Sequence, residues 1–465
     1  MAHGPWHEEV DLVVVGASTG GLAAAVIAAD RGCRTLVVER AKELGGGAPG
    51  EAEFVAAAGT RFQQTAGIDD TPARLVEDVL AASGHEVEPE LASAVAEQGA
   101  PLVAWLADRC GGQVSVVAQK APSGHAVARL HATGERGGAS LVADLVRAAT
   151  RHARITVRTG AVVERLIRDD SGAVRGLGLR TERRGGGQAI GGRVLLACGG
   201  FVGNDALVGE HCAAVAELPY HGSAAATGEG LRLGREAGAA TRRLGTATAT
   251  PFLATPSHLI VAAPLVELGA ILVNQSGRRF ADETGARLGL ALAVRAQPGR
   301  VAYLIFDERI AGAAREADPF FAHVVLPKTG RRGGTVEDLA KQVELAMEGL
   351  RSTLEAHDAS VGGGTDPFGR RAPDAPLVPP FHAIRVTGAR SRTLGGLAVD
   401  GAAHVLDGEG RPIPGLYATG GAAAGLAAAG DKDPLPGLDA LAALALGRMA
   451  ALDVVAALAA AEPQG

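Results

Sequence analysis

The stretch from Asp11 to Arg40 constrains the fold more than any other part of the chain. It opens with a run of mostly β-branched apolar residues, as in strands that are buried on both faces of a sheet. A glycine-bearing turn, Gly16 to Gly21, leads into an Ala-rich apolar helix, Leu22 to Asp30. A second apolar strand follows over Thr35 to Val38. The order of strand, glycine turn, helix and strand predicts a βαβ unit.

The residue types in this unit are typical of a dinucleotide-binding site. Gly16 permits the tight turn, and Gly21 lets the helix and the strand approach closely. The N-terminus of the helix presents N–H groups and the positive end of a dipole to a pyrophosphate. Glu39, directly after the second strand, is placed to accept hydrogen bonds from ribose hydroxyls. Ser18 stands where the G-x-G-x-x-G pattern has its second glycine, and its hydroxyl can itself face a phosphate. The alternative is a plain buried βα unit.

Composition narrows the class of protein. The 465 residues are enough for two or three domains, and the 47% of hydrophobic residues allow a large core. Only 3% of the residues are aromatic, so we expect a core of Ala, Val and Leu. The net charge of -6 offers no electrostatic field for nucleic acid. The cysteines form no CxxC pair, which predicts a reduced cytoplasmic protein without a metal site; they are Cys33, Cys110, Cys198 and Cys212.

Two segments bear on targeting and membranes. The N-terminal segment MAHGPWHEEV lacks the basic region and the apolar core of a signal peptide. The Ala/Leu-rich stretch near the C-terminus contains Asp439, Arg448 and Asp453, so we predict a buried helix rather than a membrane span. We therefore expect a cytoplasmic protein with no membrane partner.

The domain organisation is predicted from changes of pattern along the chain. Residues 251–384 mix strand and helix patterns, and glycine-rich turns return at Gly415 to Gly421. We predict an α/β fold in which a Rossmann-like nucleotide-binding domain, residues 1–250 and 385–465, carries an inserted α+β capping domain, residues 251–384. Ligands usually bind in the crevice between two such domains. Helices are expected over 71–83, 90–109 and 336–357, and strands over 154–168 and 194–198.

Seven motifs occur in a specific order along nearly the whole chain. They are VVVGASTGGLAAAVIAADRG, RLHATGERGGASLV, VLLACGGFVGN, ATGEGLRLGREAGA, GAILVNQSGRRFADE, SRTLGGLAVD and PGLYATGG. This ordered set resembles the fumarate reductase/succinate dehydrogenase flavoprotein superfamily, especially its soluble FAD-dependent members. Those members include flavocytochrome fumarate reductases, 3-ketosteroid dehydrogenases and tricarballylate dehydrogenase-like proteins.

The resemblance implies an FAD cofactor, bound extended with its adenosine end on the βαβ unit. The positions that match the family's cofactor contacts are Gly16, Ser18, Gly21, Glu39, Arg40, Gly46, Gly47, Val163, Ala197, Gly199, Glu229, Gly420, Gly421, Leu438 and Leu441. By this match, the backbone of Val163 contacts adenine and Glu229 lies near the ribityl chain. Gly421 is a departure, because many members carry a ribityl-binding glutamate there. The segment GAPGEAEF likewise replaces a Ser/Thr-rich segment of the family.

The resemblance also implies hydride transfer between flavin N5 and a C–C bond next to a carbonyl or carboxylate. Such chemistry needs a proton donor or acceptor and a group that polarises the carbonyl oxygen. Arg287 follows RRFADE at the spacing of the proton-donating arginine in fumarate reductases, or is a solvent-facing helix residue. Arg392 stands where fumarate reductases place a substrate-binding histidine, or forms a domain-junction salt bridge. Arg390 is an outside candidate.

Three histidines are further candidates for the active site. His131 lies in a segment that runs close to the active site in relatives. His382 falls in PFHAIRV, where an aromatic residue is common, and His221 precedes the ATGEG segment. For each of them, plain packing is the alternative.

Two absences bear on the substrate. Fumarate reductases carry a Glu-x-x-Arg before the GAILVN motif, but this chain has Ala263 and Val266 there, so a dicarboxylate is not expected. Ketosteroid dehydrogenases use tyrosines, but this chain has only Tyr220, Tyr303 and Tyr417, and DKDPLPGL replaces the C-terminal catalytic tyrosine. The expected substrate is therefore a mid-sized, weakly charged small molecule such as a cyclic ketone or a specialised metabolite.

The resulting hypothesis is an FAD-dependent desaturase or ene-reductase. One alternative is an FAD-dependent oxidase of a C–OH or C–N bond, and another is a non-redox flavin-dependent isomerase or an FAD-binding scaffold. The sequence shows no second dinucleotide motif and no CxxCH haem motif. Electrons are therefore expected to come from, or go to, an external donor or acceptor.

Overall fold

A computed structural model describes residues 6–45, 54–109, 114–117, 121–133, 138–181, 184–261, 264–361, 363, 366–371, 375–427 and 433–461. The chain divides into two compact units. The first unit contains Met1–Ala213, Gly222–Ala247 and Arg392–Gly465, and the second contains Ala214–His221 and Thr248–Ser391. The second unit thus includes the predicted insertion 251–384 and, in addition, a short segment that pairs with Arg390 through an isolated bridge at Tyr220.

The strands are, in chain order, β1 (Glu8–Val15), β2 (Thr35–Val38), β3 (Val55–Ala56), β4 (Val114–Val116), β5 (Leu130–Thr133), β6 (Ile155–Arg158), β7 (Ala161–Arg168), β8 (Val174–Thr181), β9 (Arg184–Leu196), β10 (Thr241–Arg242), β11 (Ala247–Ala254), β12 (Leu259–Ile260), β13 (Ile271–Val273), β14 (Ala302–Asp307), β15 (Gly330–Gly333), β16 (Phe381–Thr393), β17 (Gly396–Leu397), β18 (His404–Leu406) and β19 (Pro412–Ala418).

The helices are α1 (Thr19–Ala29), α2 (Arg61–Thr65), α3 (Pro72–Ala82), α4 (Pro89–Glu97), α5 (Gly99–Arg109), α6 (Gly138–Arg151), α7 (Asp205–His211), α8 (Glu229–Glu236), α9 (Arg287–Arg295), α10 (Glu308–Ala317), α11 (Leu326–Thr329), α12 (Val336–Val343), α13 (Met347–Ala359) and α14 (Leu438–Ala461).

The main sheet of the first unit has the predicted Rossmann-like character. Its strand order is β18-β19-β9-β1-β2-β6, with β8 paired to β9 and β7 paired to β8. Strands β19, β9, β1, β2 and β6 run parallel, and Val14 pairs with Val37 on one side and with Leu195 on the other. Because helices cover both faces of such a sheet, its central residues are apolar; Val13 and Val14 have no exposed surface.

Helices α1 and α14 pack against each other through glycines. A Cβ atom added at Gly20 would lie 2.4 Å from the carbonyl oxygen of Ala443, and one added at Gly447 would lie 2.3 Å from that of Gly20. Among the described residues, the segment Leu438–Ala460 is long and apolar enough to cross a membrane, with a mean hydropathy of 1.9. Since 56% of its most apolar window is buried, it serves as a core helix of this unit, as predicted. The cytoplasmic location stays a prediction.

The second unit is the α+β capping domain. Its sheet has the strand order β12-β11-β16-β14-β13, and β15 also pairs with β16. The pairs among β13, β14 and β16 are antiparallel. Ile305, Phe306 and Ile384 have no exposed surface and form part of a core that includes residues of α9 and α10. The predicted fold class, a Rossmann-like domain with an inserted α+β domain, is therefore confirmed.

Three predicted elements differ from the structure for local reasons. The helix expected over 90–109 is two helices, α4 and α5, because Pro101 has no N–H to donate to the carbonyl of Glu97. The helix expected over 336–357 is α12 and α13, which are separated where Glu344 adopts a left-handed φ of 57°. The strand expected over 154–168 is β6 and β7, divided at Gly160 with its φ of 63°.

The strand expected over 194–198 is longer than predicted and ends earlier. Strand β9 begins at Arg184 and stops at Leu196. It pairs antiparallel with β8 from Arg184 to Gly191 and parallel with β1 from Ile190 to Leu196. The first half of the strand contains several glycines, which are rare in strands and give no apolar pattern, so the sequence did not predict this extension.

Candidate cofactor and active site

The turn between β1 and α1 is built as tightly as its glycines allow. Gly16 has a φ of 99°, and a Cβ atom added there would lie 2.5 Å from the carbonyl oxygen of Ala197. A Cβ atom added at Gly21 would lie 2.6 Å from the carbonyl oxygen of Gly16 and 2.7 Å from the Cβ of Ala197. Because these two glycines carry no side chain, a ligand can come close to the backbone N–H groups at the start of α1.

Ser18 is the N-cap residue of α1. Its Oγ accepts a hydrogen bond of 3.3 Å from the backbone N–H of Gly21. Because the hydroxyl oxygen acts as the acceptor, its proton remains for an anionic oxygen of a ligand. The first turn of α1 itself contains no acidic residue. The carboxylate of Glu39 lies just before the helix, where it accepts from the backbone N–H of Ala17.

Glu39 is fixed at the end of β2 by two backbone groups. One carboxylate oxygen accepts from the N–H of Ala17 at 2.9 Å, and the other accepts from the N–H of Ala41 at 2.8 Å. Each oxygen still has a lone pair for a hydroxyl, as ribose recognition requires. The bond to Ala17 also ties this carboxylate to the glycine turn.

Arg40 connects the βαβ unit to the segment before α8. Its guanidinium donates to the Thr227 hydroxyl at 3.1 Å and to the carbonyl of Ala224 at 3.4 Å. Glu229, the first residue of α8, lies nearby: burial raises the pKa of its carboxyl, and the charges of Arg40 and Arg232 oppose that rise. The structure thus brings Glu229 close to the adjacent pair Glu39 and Arg40, from which it is distant in sequence.

Further cofactor candidates lie on β7 and after β9. Val163 is buried on β7, and its carbonyl accepts a long bond of 3.4 Å from Arg232. The backbone N–H of Ala197 donates to Val15 at 2.7 Å, which continues the pairing of β9 with β1. Gly199 has a φ of 77°, and the nearest atom to an added Cβ lies 4.0 Å away. A left-handed glycine without a closer neighbour permits close approach of a ligand.

The C-terminal part of the candidate site is a single 3-10 turn, Gly420–Ala422, followed by α14. A Cβ atom added at Gly421 would lie 2.6 Å from the backbone nitrogen of Gly200. The glutamate that relatives carry at this position would therefore require the backbone at Gly200 to move. Leu438 and Leu441, at the start of α14, are almost fully buried. Gly46 and Gly47, also predicted to bind the cofactor, lie outside the described residues.

One contact in this region was missed by the sequence analysis. The Thr393 hydroxyl accepts a bond of 3.1 Å from the backbone N–H of Phe201. A Cβ atom added at Gly200 would lie 2.3 Å from the same hydroxyl oxygen. Thr393 therefore fixes the turn that contains Gly199, and its position within SRTLGG was the available signal.

The residues of the first unit suit an FAD cofactor. Four features support the fit: a helix N-terminus whose first turn has no acidic residue, a hydroxyl at its cap, an anchored carboxylate at the end of β2, and two left-handed glycines at which an added Cβ would meet no atom closer than 3.8 Å. The two glycines are Gly199 and Gly420. The individual contacts to the cofactor stay predictions.

Arg392 makes an ion pair within the first unit. Its Nη2 lies 3.1 Å from the Oδ2 of Asp439, and half of its side chain is exposed. Asp439 belongs to the first turn of α14, directly after Leu438. The pair places a guanidinium beside the helix start that carries two of the cofactor candidates.

Arg287 lies in the second unit, at the first position of α9, and its side chain is exposed. It lines a small recess of about 20 Å³. The other lining residues are Phe252, Val261, Leu265, Val266, Glu267 and Leu304. The recess therefore combines one guanidinium and one carboxylate with apolar walls. Ala263, the other departure from the Glu-x-x-Arg of fumarate reductases, lies outside the described residues.

His382 and His131 are both buried and both have partners. His382 Nε2 lies 2.8 Å from a carboxylate oxygen of Glu308, and its ring stacks on Phe306 at 5.3 Å. The hydrogen bond from His382 holds the pKa of Glu308 down at about 2. His131 Nε2 contacts the hydroxyl of Thr60 at 2.8 Å, and its Nδ1 lies 2.9 Å from the carbonyl of Arg129. Burial lowers the pKa of His131, so the neutral ring is favoured. These contacts favour packing, and the catalytic role of either residue stays a prediction.

Arg390 and His221 are hydrogen-bonded to each other in the second unit. The backbone N–H of His221 donates to the carbonyl of Arg390 at 3.0 Å, and the Arg390 guanidinium donates to the carbonyl of Ala216 at 2.9 Å. Arg390 is buried, with 4% of its surface exposed. At least part of its role is to hold the segment Ala214–His221 against β16.

Comparisons with known proteins agree with this site. A family model described as FAD binding domain matches residues 11–431. The chain is 29% identical over 432 residues to a probable fumarate reductase of Shewanella frigidimarina, an alignment that covers 92% of this chain and 72% of that protein. It is 29% identical to 4-oxocyclohexanecarboxylate 2-dehydrogenase of Sinomonas cyclohexanicum, with coverage of 90% of this chain and 88% of the relative.

Solved structures show the same likeness. A flavocytochrome c3 fumarate reductase in its open conformation matches with a TM-score of 0.84 and 27% identity, over 97% of this chain and 79% of that one. A 3-ketosteroid-delta4-(5alpha)-dehydrogenase from Rhodococcus jostii, in complex with 4-androstene-3,17-dione, matches with a TM-score of 0.73 and 25% identity, over 98% of both chains. The protein is therefore an FAD-dependent oxidoreductase acting on CH–CH bonds. The chain belongs to the family described as FAD binding domain and is a member of the fumarate reductase/succinate dehydrogenase flavoprotein superfamily.

Proposed function

We propose that this oxidoreductase saturates or desaturates a C–C bond conjugated to the carbonyl of a mid-sized substrate that is not a dicarboxylate, with a cyclic ketone as the favoured type. The observation that carries the proposal is that Arg287 and Val266 line the same recess of the second unit. At about 20 Å³ this recess has room for a group about the size of one water molecule, so it would take the polar end of a substrate and not its body.

The charges of the recess fit one polar end of a substrate. A dicarboxylate would need a cation for each of its two carboxylates. Val266 stands where fumarate reductases have the arginine of their Glu-x-x-Arg, and it is apolar and 6% exposed. Its neighbour Glu267 is negatively charged and exposed, so it would repel a second carboxylate. One carbonyl or one carboxylate attached to an apolar body is a better match.

The place of Arg287 is not explained by helix stability. A cation at the first position of a helix opposes the helix dipole, which favours anions there. The helix dipole therefore does not account for a guanidinium at this position, which is compatible with a role in binding or chemistry. We propose that Arg287 exchanges a proton with one carbon of the reacting bond, as the resemblance to fumarate reductases implies.

The remaining groups have supporting roles in the proposal. FAD, when bound, supplies the hydride acceptor or donor for the adjacent carbon. Arg392, which Asp439 keeps in place, is the cation of the first unit that we propose for binding a carbonyl oxygen. The electron partner is external to the chain.

Two of the relatives support a ring ketone. By their names, 4-oxocyclohexanecarboxylate 2-dehydrogenase and the 3-ketosteroid dehydrogenase act on substrates that carry a ring carbonyl. The fumarate reductases act, by name, on a dicarboxylate. The recess favours the former group, because it lacks the arginine at position 266.

An anaerobic experiment tests the proposal. The bound flavin is photoreduced, and its visible spectrum is followed after addition of a cyclic enone, an α,β-unsaturated monocarboxylate or fumarate. We expect the cyclic enone to restore the oxidised spectrum fastest and fumarate to be inert. Fastest reoxidation by fumarate would contradict the proposal. Reoxidation by air alone would favour the C–OH or C–N oxidase, and a flavin that no compound reoxidises would favour the isomerase or scaffold.

Two variants and one control variant sharpen this test. Arg287→Gln is expected to lower turnover by a factor of roughly 10² or more, the usual contribution of a positioned proton donor, without loss of FAD. Arg295→Gln, at the other end of α9, is the matched control and should retain activity. Val266→Arg should add fumarate reoxidation that the unchanged chain does not show, because it restores a second cation to the recess.

A further inference from the structure

Arg243 has an unusual backbone conformation for an arginine. It lies in the turn between β10 and β11, with a φ of 51°. Residues other than glycine pay an energetic cost in this left-handed region, and asparagine and aspartate tolerate it best. Such conformations persist where the surroundings determine them strongly, which directs attention to what the side chain holds.

The guanidinium of Arg243 joins two segments of the first unit. Nη2 donates to the carbonyl of Gly425, shortly after the Gly420–Ala422 turn. Nη1 lies 3.3 Å from the carbonyl of Glu86 and 3.3 Å from a carboxylate oxygen of Glu88, the N-cap residue of α4. Only 11% of the side chain is exposed, so these bonds have little competition from water.

The backbone of Arg243 also contacts a third segment. A Cβ atom added at Gly395 would lie 2.1 Å from the carbonyl oxygen of Arg243, so only glycine fits there. The N–H of Leu394 donates to Thr246 at 2.9 Å, and the N–H of Gly425 donates to Leu394 at 3.0 Å. Gly425 is therefore held from both sides: by Leu394 at its nitrogen and by Arg243 at its oxygen.

We propose that Arg243 is a positioning residue for FAD. By fixing the carbonyl of Gly425, it sets the path of the segment that begins at Gly420 and Gly421, both of which match cofactor contacts of the family. The residue itself touches no predicted cofactor contact. Its effect on the cofactor is transmitted through the backbone of residues 420–425.

Arg242 provides a matched control. Its Nη1 lies 2.6 Å from the other carboxylate oxygen of Glu88, and its side chain is 36% exposed. Both arginines thus pair with the same glutamate, but Arg243 is the one that donates a hydrogen bond to the carbonyl of Gly425. A difference between the two variants isolates the contact with Gly425 from the contact with Glu88.

The test compares Arg243→Asn, Arg243→Lys and Arg242→Gln in the holoprotein. Asparagine tolerates the left-handed backbone and removes the guanidinium, while lysine keeps the charge but loses the planar fork. FAD release is measured by flavin fluorescence in the filtrate after equilibration at several dilutions, and the visible spectrum of the bound flavin is recorded. We expect Arg243→Asn to raise the Kd for FAD about tenfold or more, which corresponds to one lost charge-assisted hydrogen bond. Arg243→Lys should give an intermediate Kd, and Arg242→Gln should stay within about twofold of the unchanged chain, as exposed ion pairs do.

Two results would overturn the proposal. One is an unchanged Kd for Arg243→Asn together with a lower melting temperature, which would show a purely structural cross-link. If Arg243→Asn does not fold, Arg243→Lys decides: a Kd and a flavin spectrum equal to those of the unchanged chain would show that the guanidinium fork has no role in FAD binding.

Discussion

Arg392 and Asp439 form an ion pair that joins the end of β16 to the first turn of α14, with 3.1 Å between Nη2 and Oδ2. Both residues belong to the first unit, although the sequence alternative was a salt bridge at a domain junction. The aspartate has a stabilising place of its own, because an acidic residue in the first turn complements the helix dipole. The aspartate is therefore favoured at this position even without the arginine.

Replacement of Arg392 should affect turnover more than stability. The side chain is half exposed, so loss of the pair should cost no more than about 1 kcal/mol of unfolding free energy. If the guanidinium holds a substrate carbonyl, Arg392→Gln should lower kcat/KM at least about tenfold, the equivalent of one charged hydrogen bond. Asp439→Asn keeps the guanidinium and is the comparison. Equal kcat/KM for Arg392→Gln and the unchanged chain would remove Arg392 from the site.

The glycine turn offers a test of cofactor binding. In Gly21→Ala, the new Cβ would lie 2.6 Å from the carbonyl oxygen of Gly16, so the helix must move away from the strand. We expect a loss of about 1–3 kcal/mol of unfolding free energy, as in overpacked cores, and a lower FAD content. Denaturant unfolding at a fixed FAD concentration and the flavin-to-protein absorbance ratio measure these effects.

The control for this variant is Gly209→Ala. Gly209 lies inside α7, and no atom lies within 4 Å of an added Cβ. Alanine should be neutral there or stabilise by up to about 1 kcal/mol, because it is the better helix former. Full FAD occupancy in Gly21→Ala would show that the close approach at this turn is not needed for the cofactor.

The buried pair of Arg129 and Asp70 should dominate the stability of its region. Neither side chain has any exposed surface, and their closest atoms are 3.2 Å apart. Asp70→Asn leaves a buried guanidinium with a single remaining carboxylate, Asp78, so we expect a loss of about 3 kcal/mol of unfolding free energy. The exposed pair Arg61 and Asp108 has the same distance of 3.2 Å, and Asp108→Asn should cost about 0–1 kcal/mol. Equal losses in the two variants, measured by urea unfolding, would contradict this account.

The sequence predicted the parts of the fold that short-range pattern determines. The βαβ unit from Asp11 to Arg40 has its strands and helix in the predicted order, although β1 begins three residues earlier, at Glu8, and α1 begins at Thr19 within the predicted turn. The strand Thr35–Val38 has its predicted bounds, because a threonine and three apolar residues between Arg34 and Glu39 favour a short buried strand. The ordered motifs likewise sufficed for the family, the cofactor and the type of reaction.

Contacts between residues that are distant in sequence could not be predicted. No local pattern indicates that Arg243 reaches the carbonyl of Gly425, since the bond connects positions separated by 182 residues. The same is true of Arg40 and the segment around Thr227. His382 shows the converse: the residue type suggested chemistry, but a neighbouring strand and helix supply Phe306 and Glu308 as partners. Tertiary packing determines the partners of such side chains, and the local sequence does not show it.

His404 should make stability depend on pH. Its Nδ1 lies 2.9 Å from a carboxylate oxygen of Asp400, and its Nε2 lies 3.2 Å from one of Asp453 on α14. The hydroxyl of Tyr417 donates to the same oxygen of Asp453 at 2.6 Å. The hydrogen bond to Asp400 is the main cause that raises the pKa of His404 above its ordinary value of 6.5. A raised pKa in the folded state means that protonation favours folding.

The sign of the effect follows from this shift. The contribution of His404 is fully present below pH 6.5 and is lost as the pH rises through the folded-state pKa. In His404→Gln, which does not titrate, this dependence is absent. The difference in unfolding free energy between the two proteins should therefore shrink by up to about 1 kcal/mol between pH 6 and pH 9, as for partly exposed pairs. Urea unfolding at both pH values measures it, with the exposed His323→Gln as control. A difference that is constant, or that grows at the higher pH, would show that the two carboxylates do not hold the protonated ring.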